Sequence, residues 1–250
     1  MLFATTGCSF TWGQGLVYHR WIEQCKTEKK SWRNFKDEYQ WIDVMGKITN
    51  QDYIFQNSLR CAGLLAKTLK CDYLIQEENG GSNMRSFKRI ERWVSTHKVN
   101  PNRKLDFIIL QLTEPYRDHL NQSGDDHWMI EIPNYPGVPD FDTPYSHDIF
   151  MNKFYSKDMF LQMVENCRSN GIDLLIWSWQ DELAEILKDE DFFIKLKYGG
   201  KEYISFNDIK RDWPVGLDQD LKLLDEHPNK FFNQLLHDNI IEKLKDRNII

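Results

Sequence analysis

Apolar positions along the chain fall into short continuous runs separated by stretches of helical periodicity. Leu2, Phe3 and Ala4 begin a strand over 2–7 that ends on Gly7. Leu59, Ala62, Leu65, Ala66 and Leu69 recur at helical spacing and predict a helix ending near Lys70. A second strand follows over 71–76, cut off by Asn79, Gly80, Gly81, Ser82 and Asn83. Met84, Phe87, Ile90 and Val94 line one face of the next helix. Residues 105–112 are almost uniformly apolar, the pattern of a strand covered on both faces. Tyr155, Met159, Met163 and Cys167 predict a helix over 152–170 with Gly171 as its stop. A fourth strand spans 172–179, and Gly199-Gly200 predicts a hairpin turn within an otherwise ambiguous 184–222. Phe232, Leu235, Leu236, Ile240 and Leu244 mark a last helix over 231–245. This alternation predicts one α/β domain over 1–250, a three-layer α/β/α arrangement with a parallel central sheet. Residues 12–52, rich in Trp, Lys and Glu, and 114–148, with five prolines, read as two long insertions.

Composition supports a sizeable core. Nine Trp, ten Tyr and fifteen Phe fall within an apolar share of 41%, and each ring buries a large area. The 38 acidic and 32 basic residues interleave to a net charge of −6, which argues against a nucleic-acid footprint. No run approaches the roughly 18 apolar residues that a membrane span requires. Met1 to Thr6 lacks the basic start and length of a signal peptide, so a cytoplasmic location is expected, and a phage or virion protein would read the same. Five scattered cysteines with no CxxC pair read as free thiols, not as a disulfide frame or a zinc site.

Candidate chemistry lies near both termini. Ser9 directly follows the first strand and Gly7-Cys8, and parallel sheets place their chemistry at the carboxyl ends of strands. Asp225 and His227 precede Pro228 and Asn229 before the last helix. A serine hydroxyl, an imidazole that takes its proton and a carboxylate that orients the imidazole form an activated nucleophile. Each also has a plainer reading: Ser9 as a helix cap, His227 and Pro228 as a helix start, Asp225 as a solvated acid. The Ser9 and Gly81 backbone amides and the Asn83 side chain are candidate oxyanion donors, while Gly80 to Asn83 equally suits a turn and cap. Thr113 and Arg117 follow the central strand and are candidate substrate contacts, with an Arg117 ion pair to Glu114 or Asp118 as the alternative. His119, Asp125, Asp126 and His127 have no metal-ligand spacing, and no metal or organic cofactor is expected. Trp12, Trp21, Trp32 and Trp41 suit either packing or stacking on a sugar ring.

These blocks resemble the SGNH (GDSL-type) hydrolase family, and most of all its divergent branch in bacteriophage and environmental sequences. Gly7-Cys8-Ser9-Phe10-Thr11 is similar to the first block, with Cys8 where the family carries aspartate. Asn79 to Asn83 resembles the second block, Thr113 and Arg117 a Thr–Arg pattern after the third strand, and Asp225 to Asn229 the last block. The third block lacks the family's Gly-x-Asn-Asp, and one residue rather than two separates Asp225 from His227. The resemblance implies a flavodoxin-like fold and a serine esterase with Ser9, His227 and Asp225 as its triad. It also implies a small-molecule or carbohydrate ester as substrate, O-acetyl groups included; the charge and hydropathy patterns give the expectation of neither a nucleic-acid nor a membrane partner. The alternative is an inactive module of the same fold that binds carbohydrate or serves a phage structure. Oligomeric state is not legible.

Overall fold

In the computed structural model the described residues are 1–8, 11, 13, 15–31, 48–75, 83–99, 104–113, 155–212 and 228–250. In chain order they form β1 (Leu2–Thr6), α1 (Tyr18–Thr27), α2 (Asn50–Leu59), α3 (Cys61–Leu69), β2 (Asp72–Ile75), α4 (Asn83–Val99) and β3 (Phe107–Leu112). Then follow α5 (Lys157–Arg168), β4 (Asp173–Ser178), α6 (Asp181–Leu187), β5 (Leu196–Tyr198), β6 (Lys201–Tyr203), α7 (Phe206–Asp212) and α8 (Lys230–Asp246).

β1 to β4 form one parallel sheet in the order β2-β1-β3-β4. Phe3 lies opposite both Tyr73 and Phe107, and Phe107 opposite Asp173. Beyond β4, Ile176 donates to the Phe192 carbonyl at 3.0 Å and accepts from the Ile194 amide at 2.8 Å. Residues 192–194 therefore run beside β4 in parallel, as a short fifth position of the sheet. The run 105–112 behaves as its composition requires: all six residues of β3 are buried.

Because side chains alternate along a strand, each strand feeds both faces. Ala4, Ile108, Leu110, Leu174 and Ile176 meet Phe87 and Ile90 of α4 and Phe160 and Val164 of α5. Phe3, Phe107, Ile109, Leu175 and Trp177 meet Leu65 of α3 and Phe232, Leu236, Ile240 and Leu244 of α8. The α8 stripe repeats every four residues, so one helical face lies on the sheet. Each such side chain contributes roughly 1.5–3 kcal/mol by leaving water. Helices thus cover both faces of the sheet.

One local reading changes and others gain detail. The helix expected through Leu59 to Leu69 is two helices, broken at Arg60, whose extended ψ of 149° ends α2 and caps α3. The insertion 12–52 contains α1 and the start of α2, with a Thr49–Asp52 capping box. Within it Trp21 is buried and donates to Asp52 at 3.1 Å, so this ring packs inside the protein and offers no face to a sugar. Trp12, Trp32, Trp41 and the whole of 114–148 lie outside the described residues. Gly199 and Gly200, with φ of +58° and +80°, do form the hairpin turn, between antiparallel β5 and β6. Among the described residues no helix is long and apolar enough to cross a membrane.

Candidate functional site

The chain leaves β1, pairs β2 on one side and then β3 on the other, so the direction of winding reverses between β1 and β3. In open α/β sheets the crevice outside the strand carboxyl ends at such a reversal is the usual ligand position. Here that edge is made by Thr6 at the end of β1 with Gly7 and Cys8 after it, and by Gln111 and Leu112 at the end of β3 with Thr113 after them.

Gln111 organises it. Its side chain is fully buried, and its oxygen accepts from the Cys8 amide at 3.1 Å, the Thr11 amide at 3.2 Å and the Thr11 hydroxyl at 2.8 Å. Its nitrogen donates to Cys8 Sγ at 3.1 Å. Gly7 makes the approach possible: a Cβ there would fall 2.4 Å from Thr11 Oγ1 and 2.6 Å from Gln111 Oε1. Thr6 on the neighbouring position donates to Ser86 of α4 at 3.2 Å.

Asn83 and Thr113 build the next part of the edge. Asn83 is fully buried and clamps Thr113, accepting from its amide at 2.8 Å and donating to its carbonyl at 2.9 Å. The same side-chain nitrogen reaches the Tyr155 hydroxyl at 3.3 Å. Both hydrogens of the Asn83 amide are thereby engaged, so in this geometry it braces Thr113 at the end of β3. Thr113 is likewise buried, its hydroxyl accepting from Trp179 Nε1 at 3.1 Å, and it ties β3 to β4 where a substrate contact was expected. Ser9, Gly81, Arg117, Asp225 and His227 lie outside the described residues.

Thr11 and Pro228, near Ser9 and His227 in sequence, are among the described residues. Thr11 and Pro228 line one cavity of about 20 Å³, together with Thr5, Cys61, Trp177 and Asn233. Asn229 caps α8 by accepting from the Phe231 and Phe232 amides, both at 3.0 Å, a bond set worth about 1 kcal/mol. Asn233, one turn on, donates to the carbonyls of Pro228 at 3.3 Å and Asn229 at 3.0 Å and accepts from the Cys61 amide at 2.9 Å. It locks the start of α8 to the start of α3. Burial, reinforced by the Asp238 carboxylate, pushes the Cys61 thiol well above its ordinary range, so it is no nucleophile for this cavity.

Sequence reasoning missed Gln111, Thr11 and Asn233. The signals were an amide inside an apolar strand and an asparagine on the apolar stripe of the last helix. A further hydroxyl–imidazole–carboxylate chain was also missed: Thr68 to His237 Nε2 at 2.8 Å and His237 Nδ1 to Asp238 at 2.7 Å. It joins the outer sides of α3 and α8, and Thr68 lies seven residues, or about 10 Å of helix, beyond Cys61. Among the described residues no group of three His, Cys, Asp or Glu side chains is placed to hold a metal ion. Comparison with protein-family models, with curated proteins and with solved structures found no match to this chain.

Proposed function

We propose that the chain is an SGNH-type serine hydrolase that cleaves an ester, with O-acetylated carbohydrate as the substrate class. One observation carries the reading: Thr11, two residues past Ser9, and Pro228, directly after His227, line the same cavity beside the β1–β3 edge. Segments more than 200 positions apart thus share one cavity, lined also by Leu65 of α3, Ile109 of β3 and Ile240 of α8, and this supports the reading.

In the proposed reaction Ser9 Oγ attacks the acyl carbon while His227 takes its proton, and Asp225 steadies the imidazolium. His227 then protonates the leaving alcohol, and water activated by the same imidazole releases the acid from Ser9. The Ser9 and Gly81 backbone amides are the proposed oxyanion donors, and Arg117 is proposed to meet the substrate.

A second reading, an inactive binding module of the same fold, is favoured by one observation. The Asn83 amide, which would replace the asparagine missing from the third block, is spent on Thr113 and Tyr155. A fluorophosphonate probe followed by peptide mapping separates the two. Labelling at Ser9 that disappears in His227→Ala is the hydrolase result. Folded protein that stays unlabelled overturns it in favour of the binding module.

A further inference from the structure

We propose that Gln111 is the positioning residue of the nucleophile loop, a role that rests on the hydrolase reading of Ser9. Besides the Cys8 thiol at 3.4 Å, its single side-chain oxygen collects three N–H and O–H donors from the two residues that bracket positions 9 and 10: the Cys8 amide, the Thr11 amide and the Thr11 hydroxyl. Cys8 and Thr11 are thereby both fastened to β3, the most completely buried strand of the sheet. The side-chain nitrogen adds a further tie, to Cys8 Sγ at 3.1 Å.

The chemistry of the residue suits the task. A carboxylate here would be a buried charge, whereas an apolar side chain would leave the buried Cys8 amide and the half-buried Thr11 amide without this acceptor. Glutamine is neutral, reaches across from β3, and accepts and donates at once. The missing Cβ of Gly7 completes the arrangement, since a methyl there would lie 2.6 Å from the accepting oxygen. Preorganisation of this kind spares the serine a search for its attack geometry, and a displacement of about 1 Å in such a group costs on the order of 100-fold in rate.

The test compares wild type, Gln111→Met and Gln111→Glu, each shown folded by circular dichroism. Two quantities are measured: the fluorophosphonate labelling rate of Ser9 against pH, and hydrogen exchange of the peptide covering residues 7–12. Methionine keeps the length and removes the acceptor; glutamate keeps the acceptor oxygen. The expected result for Gln111→Met is a labelling plateau lower by about 100-fold, with the midpoint of the pH profile unmoved and exchange at Cys8 and Thr11 accelerated. Gln111→Glu should retain a rate within about tenfold of wild type because the acceptor remains. A folded Gln111→Met protein with wild-type labelling and exchange overturns the proposal. Unlabelled wild type sinks the hydrolase reading instead, and the exchange data then decide alone whether Gln111 holds the loop.

Discussion

Replacing Asn83 with alanine tests directly whether this side chain serves the fold or faces the chemistry. In the structure its amide satisfies both backbone groups of Thr113 and reaches the Tyr155 hydroxyl, with no exposure to solvent. Alanine would leave the Thr113 N–H and C=O buried without partners, at about 1–3 kcal/mol each. The expected loss is therefore about 2–6 kcal/mol, a large part of the stability of a typical domain. Asn83→Asp adds a pH signature. Its carboxylate would still accept from the Thr113 amide but would face the Thr113 carbonyl, and burial would raise its folded pKa above the ordinary value near 3.9. Stability is then fullest below that ordinary value, where the acid can donate, and is lost as pH rises through the folded pKa. Urea unfolding followed by tryptophan fluorescence, with Trp179 bonded to Thr113, reads both variants. An Asn83→Ala protein within about 0.5 kcal/mol of wild type, or an Asn83→Asp protein insensitive to pH between 4 and 7, would refute the clamp.

Two further outcomes are expected. Burial pushes the Cys167 thiol up to about 12 from an ordinary 9.0, so its contribution is complete below pH 9 and drains away towards pH 12. The unfolding free energy from urea titration should fall between pH 8 and 10.5 by about 2 kcal/mol more in wild type than in Cys167→Val; equal falls would show that this thiol is not the cause. Arg60, 1% exposed, bonds Asn57 at 2.9 Å, Tyr53 at 3.0 Å and Tyr73 at 2.9 Å. Because lysine lacks that planar fork, Arg60→Lys should cost about 2–3 kcal/mol in urea unfolding, and a cost under about 0.5 kcal/mol would show that charge alone suffices.

What was legible in the sequence follows the physics of each element. β3 announced itself because a strand covered on both faces needs no polar alternation, and the α8 stripe of Phe232, Leu236 and Ile240 is long enough for its period to show. The helices α6 and α7 did not, since seven residues give less than two full turns of pattern. α1 carries Tyr18, Trp21, Ile22 and Cys25 on its buried side, yet charged neighbours made 12–52 read simply as an insertion. At the site, Gly7 and the strand ends were readable as local signals. The bracing amides were not, because a glutamine at 111 finds Cys8 and Thr11 only when strands about 100 positions apart are paired.

That separation also bears on how the molecule is made. β1 lies inside the sheet, between β2 and β3, and its Phe3 pairs with Phe107. At a synthesis rate of about 5–20 residues per second, Phe107 appears roughly 5–20 s after Phe3. Through that interval β1 has β2 at most to pair with, and the α8 side chains that cover Phe3 come later still. The nascent chain thus carries a sticky central strand ahead of its cover, and folding of the sheet must wait for translation to pass β3.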